Sequence, residues 1–241
     1  MSKNLSKFID SERNRFENRH DNMFSFVFSD ILIYYDYLQI ILERYQPLSL
    51  EFVKNTKEMH ESIKIHSGTM DAQQMKLMGE GRKITKHLHL EIESFYLFAK
   101  ILLDKISQAI QFYFGPARSL SLASHDKLTK HIENYAKTKA LSLSSELFET
   151  IKKLKSDISD FRDYQIQHIE EYRQGRVARG TAFDGDGNTK LSLFSVFPTE
   201  KDRQYESRHL KELEGEISAY IDNVIEFIEQ NKTKTNLNLK T

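Results

Sequence analysis

Apolar residues recur at three- and four-residue steps through most of the chain, the pattern of helices that bury one face. The longest example, "ITKHLHLEIESFYLFAKILLDKISQAIQFYF", puts Leu88, Ile92, Phe95, Ala99, Leu102, Ile106, Ile110 and Phe114 on one stripe, and Gly115-Pro116 ends it. An earlier helix is predicted over residues 5–44, with a break near 20–21. It ends before Pro47, whose ring and missing N–H oppose continuation. Another starts within "PLSLEF", with Ser49 as N-cap and Glu51 in its first turn, and fades by 67–68. The polar, glycine-flanked "GTMDAQQMKLMGEGRK" reads as a mobile connection with one helical turn. After the Ser-rich "ARSLSLASHD", a short helix is expected over 126–136 and a long one over 146–173, capped by Ser144 or Ser145. A last stripe, Leu210, Leu213, Ile217, Tyr220, Val224 and Ile228, marks a helix over 199–230.

The period changes from helical to two in one place. "RGTAFDGDGNTKLSLFSVFP" alternates apolar and polar residues around Gly-Asp-Gly-Asn, which predicts a small β-hairpin near residues 180–197. No internal repeat is evident. The expected fold is therefore an all-α helical bundle with one β excursion. Its domains are an N-terminal helical extension over 1–80, a helical domain over 81–230 and a flexible tail over 231–241.

Composition sharpens this. Three Pro and nine Gly in 241 residues leave room for long helices, and 16 Phe with 11 Tyr supply a packed core. Lys plus Arg and Asp plus Glu both number 35, so no global pull toward nucleic acid or an anionic membrane is expected. The absence of Cys excludes disulfides, thiolate metal sites and a Cys nucleophile. The first 20 residues lack the apolar core of a signal peptide. The apolar run "MFSFVFSDILIYYDYLQIILERY" carries Asp30 and Asp36, which makes it a buried helix rather than a membrane span. A soluble, cytoplasmic chain without a membrane partner is expected.

Most chemical motifs fail on inspection. The Asp184-Gly-Asp-Gly-Asn stretch has Thr189 where a calcium loop needs glycine and Ser195 where it needs the closing Glu, so a turn explains it. His87 and His89 lie two apart, on different helix faces, and His125 and His131 are poorly spaced for one ion. These histidines read as solvated or capping groups, and neither a metal nor another cofactor is expected. No phosphate loop, dinucleotide loop or nucleophile elbow occurs.

The stretch that remains is "FRDYQIQHIEEYRQG", holding Arg162, Asp163 and His168. A purely structural account has Ile158, Phe161, Gln165, His168 and Tyr172 near one helical face, with Arg162 solvated or paired to another helix. The arrangement also resembles the motif of HEPN-domain proteins, in which an Arg and a polar residue precede a His by a few positions late in an all-α chain. Here Arg162 and Asp163 stand before His168, after a long amphipathic helix similar to the apolar partner helix of that fold.

That resemblance, over about residues 83–230, implies a homodimer whose two motif helices meet at a two-fold axis. It implies a metal-independent endoribonuclease of toxin–antitoxin, phage-defence or RNA-processing type, restrained by an antitoxin or other regulatory protein. His168 would move the proton, Arg162 would hold the scissile phosphate in a bidentate fork, and Asp163 would orient either one. Arg173, Arg176 and Arg179 would supply cations for RNA beside the motif. Glu170 stands two after His168, where the adenylylatable subtype has Tyr. Six helical steps of about 100° put Arg162 and His168 roughly 120° apart, so either the helix is distorted there, the long Arg162 stem reaches round, or the site is composite across the dimer, the option the resemblance implies. A non-catalytic dimeric binding or scaffold protein of the same fold is the alternative, favoured by the balanced charge.

Overall fold

The structure is a computed structural model and describes residues 3–62, 69–160, 177–183, 189–196 and 210–240. Helices dominate, and their order is α1 (Lys3–Glu12), α2 (Asn18–Ser62), α3 (Ala72–Phe114), α4 (His125–Lys139), α5 (Ser145–Leu154) and α6 (Leu210–Gln230). A 3₁₀ turn over Arg13–Arg15 follows α1, and a π-helical segment over Lys155–Asp160 extends α5. Strands β1 (Val177–Phe183) and β2 (Thr189–Val196) pair antiparallel, from Val177 opposite Val196 to Phe183 opposite Thr189. Their register shifts between Ala178 and Gly180. The described residues are mostly α-helical.

Two compact units divide the chain. One holds the described parts of Met1–Gln39, Tyr96–Tyr164 and Leu213–Thr241; the other holds those of Ile40–Phe95 and Gln165–Glu212. Residues 1–80 thus contribute to both units.

The first unit is built on the predicted stripes. Ala99, Leu102, Ile106, Ile110 and Phe114 of α3 are at most 1% exposed, and Leu213, Ile217, Tyr220, Val224 and Ile228 of α6 are equally enclosed, at 3% or less. Burying each large side chain is worth about 1.5–3 kcal/mol, so these stripes dominate its stability. An aromatic cluster joins α1 to α2: Phe8, Phe16, Phe24 and Phe28 contact one another at centroid separations from 4.4 to 6.0 Å.

Four boundaries differ from the sequence reading, each for a local reason. The first break falls at the 3₁₀ turn and residues 16–17 instead of 20–21. There Phe16 is fully buried, and Glu17 N–H donates to the Asn238 carbonyl at 3.2 Å. Helix α2 also continues through Pro47. Pro47 is exposed while Ile41, Leu42 and Tyr45 are buried, so water can reach the carbonyl its ring leaves unbonded and packing offsets a cost of about 3 kcal/mol.

Helix α3 begins at Ala72 and absorbs the stretch read as a connection. Its start is a reciprocal capping box: Gln74 N–H donates to Asp71 Oδ1 at 2.8 Å, and Asp71 N–H donates to Gln74 Oε1 at 3.1 Å. Gly81 then allows close approach within the second unit. A Cβ there would lie 2.6 Å from Asn55 Oδ1, and Asn55 Nδ2 donates to the Leu77 carbonyl at 3.0 Å.

The residues read as a flexible tail are held in place. Asn236 N–H donates to the Tyr113 carbonyl at 2.9 Å, Lys240 N–H donates to the Arg15 carbonyl at 2.8 Å, and Leu237 is buried. Gly115, at φ 78°, ends α3 against Asn236, leaving no room for a Cβ: Asn236 Cγ would be 2.6 Å away.

Candidate functional site

Arg162, Asp163, His168, Arg173 and Arg176 lie outside the described residues. Of Arg179 only the backbone is described, in β1 at the register shift. The chain leading into the motif is described up to Asp160, and there the sequence builds a buried polar cluster in the first unit.

The cluster starts with α3. Lys100 is 3% exposed, and its Nζ lies 3.3 Å from Asp104 Oδ1, one helical turn on. The same Nζ lies 3.1 Å from Asp126 Oδ2 in the first turn of α4. Asp104 Oδ1 also accepts from the His125 backbone N–H at 2.7 Å, and Ser124 caps α4 by accepting from Lys127 N–H. Two carboxylates at a helix N-terminus suit its partial positive charge, and Lys100 keeps them from repelling each other. Around them, Ser107 Oγ donates to the Leu122 carbonyl at 2.6 Å and Gln108 Nε2 to the Ala123 carbonyl at 3.1 Å, which ties the Ser-rich loop to α3.

His125 is the unexpected member. Read from the sequence as solvated or capping, its side chain is instead fully enclosed, edge-on to the Tyr220 ring with centroids 5.9 Å apart. Neither ring nitrogen has a hydrogen-bond partner among the described residues, and the hydroxyls of Tyr220 and Ser159 share that condition. Burial, then the Lys100 charge, pushes the imidazole down to about 3. Asp126 is lowered too: burial opposes this, but the hydrogen bond and charge of Lys100 outweigh it.

These energetics decide the chemistry. An imidazole that resists protonation and has no exposed surface cannot exchange protons with a substrate. The cluster is an anchor. It fixes α3 to α4, and the charge of Lys155, at the head of the π-helical segment, acts on both His125 and Asp126. Ile158 and Ser159 of that segment are fully buried, so the last described turn before the motif is firmly seated. Lone π turns inserted in α-helices are rare and concentrate at functional sites.

Glu93 lies seven residues before Lys100 on α3, a spacing that would put both on one helix face, yet Glu93 is exposed and Lys100 buried. The Lys100–Asp104 spacing was visible in the sequence as a helical ion pair. The burial of His125 had no such signal, because it depends on where α6 packs.

Other concave surfaces offer less. A cleft of about 750 Å³ in the first unit is lined by Met23, Gln108, Gln111, Phe112 and Asn236. Its Gln108 and Gln111 amides are already engaged with the backbone of residues 122–123. A groove of about 460 Å³ in the second unit is lined by Phe52, Met59, Met78, Arg82 and Lys86 and is mostly apolar. Among the described residues no group of three or more His, Asp or Glu is placed to hold a metal ion. Compared with protein-family models, with curated proteins and with solved structures, the chain matches none.

Proposed function

We propose that the chain is a metal-independent endoribonuclease of HEPN type, acting as a homodimer with Arg162 and His168 as its working groups. The supporting observation is the placement of the motif. Arg162 follows within two residues of a π-helical segment rooted in a buried polar anchor, in a mostly α-helical chain. In this reading residues 81–230 form the HEPN-like domain, and the β1–β2 pair is its small hairpin insertion.

RNA supplies its own nucleophile, so the protein needs few groups. His168 takes the proton from a 2′-OH, the 2′ oxygen attacks the adjacent phosphorus, and the 5′ oxygen of the next nucleotide leaves with a proton. Arg162 stabilises the extra negative charge on the phosphoryl oxygens. Asp163 orients one of these side chains, and Arg173, Arg176 and Arg179 hold the flanking backbone. The products are a 2′,3′-cyclic phosphate and a 5′-hydroxyl end. Such an activity suits a cytoplasmic toxin or phage-defence protein restrained by a regulatory partner.

The test compares wild type, Arg162→Ala and His168→Ala on single-stranded RNA in EDTA. Cleavage by wild type to cyclic-phosphate ends, reduced at least about 100-fold in both variants, is the expected result. Equal cleavage by all three, or none by wild type, rejects the enzyme. A second reading, a non-catalytic dimeric scaffold, is favoured by one observation: 35 basic and 35 acidic residues give no excess charge for RNA.

A further inference from the structure

Helix α2 is apolar on two faces. Phe24, Phe28, Ile31, Tyr35 and Leu38 point into the first unit and are 6% exposed or less. On the other side Met23, Phe26, Ile33 and Tyr37 are 50%, 73%, 44% and 41% exposed. A helix that merely covers a core has polar residues there.

The exposed set has a regular step. Positions 23, 26, 30, 33 and 37 alternate steps of three and four, the repeat by which one helix seats against another in a two-stranded seam. Asp30 is the polar member, and its Oδ2 lies 2.7 Å from Lys105 Nζ of α3. Beside the stripe, Tyr34, Tyr37 and Phe98 form an aromatic shelf, with Tyr37 and Phe98 centroids 5.3 Å apart.

We propose that this face of α2 and its aromatic shelf pair with the same face of a second copy of the chain. Size supports that occupant. The four exposed side chains, with the half-buried Tyr34 and Phe98, offer about 500 Å² of apolar surface, taking about 200 Å² for a full aromatic side chain. Interfaces are about 60% apolar, so this corresponds to about 800 Å² per partner, the standard size for a specific pair. Self-pairing also suits the charges. Asp30 and Lys105 give the face one charge of each sign, so a two-fold copy meets it without an excess of like charge. A lipid occupant is the competing possibility, because the stretch containing this face is long and apolar enough to cross a membrane. Lipid would have to surround the Asp30–Lys105 pair, which is costly.

The inference concerns a surface separate from the motif of the nuclease reading, and its readout is the mass lost when this surface is altered. The purified chain is run in sedimentation equilibrium from about 1 to 50 µM, beside the double variant Phe26→Glu/Ile33→Glu and the single variant Tyr37→Glu. Circular dichroism confirms folding, which exposed positions should preserve. The expected result is a larger mass for wild type than for either variant at about 50 µM, with helicity unchanged. A wild type of the same mass as the double variant across the whole range overturns the proposal, whether that shared mass is a monomer or a dimer joined elsewhere. Flotation of wild type, but not the double variant, with neutral phosphatidylcholine vesicles would assign the face to lipid and overturn it too. RNA cleavage, measured separately, does not enter.

Discussion

His125 shows how one enclosed side chain sets a response to pH. Its folded-state value of about 3 lies below the 6.5 of an unfolded histidine. Between those values the unfolded chain binds the extra proton, so stability falls as pH drops from 6.5 toward 3. Asp126 acts in the same direction, since its lowered value gives stability that is lost on acidification. Urea unfolding at pH 7, 5.5 and 4.5 should show the midpoint falling at each step, and His125→Phe should flatten much of that fall. Lys100→Met tests the other half of the cluster. It leaves Asp104 and Asp126 without their shared cation, and a loss of about 3 kcal/mol at pH 7 is expected in urea unfolding.

Two neighbouring glycines would mislead a propensity argument, because Gly79 and Gly81 sit in the same helix but in different surroundings. Around Gly79 an added Cβ meets nothing within 4 Å, so Gly79→Ala should stabilise the chain by about 0.5–1 kcal/mol. At Gly81 the Cβ meets Asn55 Oδ1 at 2.6 Å. Asn55 would have to swing away and release the Leu77 carbonyl, so Gly81→Ala should instead destabilise by about 1 kcal/mol. Thermal melts of the two variants, run together, check the opposite signs. The α3 start was legible in principle: Asp71 and Gln74 have the spacing of a capping box, although Asp71 stands in a stretch that reads as a polar loop. The continuation of α2 through Pro47 was not legible, because a local penalty argues for a stop and only packing, as of Ile41, Leu42 and Tyr45 just before it, overrules it.

For the whole molecule, the C-terminal residues matter more than their polar composition suggests. Asn231 is buried and bonds both Ser142 backbone groups, at 2.8 and 3.0 Å, while Thr235 and Asn236 bond the Tyr113 carbonyl. Phe16 and Leu239 form an isolated β-bridge. Deleting residues 231–241 should therefore lower the melting temperature by roughly 5–10 °C, as expected for losing a few kcal/mol in a chain of this size. A melt unchanged within 1 °C would show that these contacts add nothing.

The sequence alone determined the helical class, the buried stripes of α3 and α6 and the stop at Gly115-Pro116, because a 3.6-residue period and a helix-breaking pair are local properties. It also singled out Arg162, Asp163 and His168, on residue type and spacing. Tertiary structure alone decided that His125 is dry, that Lys100 serves two carboxylates from different helices, and that residues 231–240 are held. Each of those depends on which distant segment packs where, and desolvation and close approach belong to pairs of surfaces that no single stretch of sequence contains.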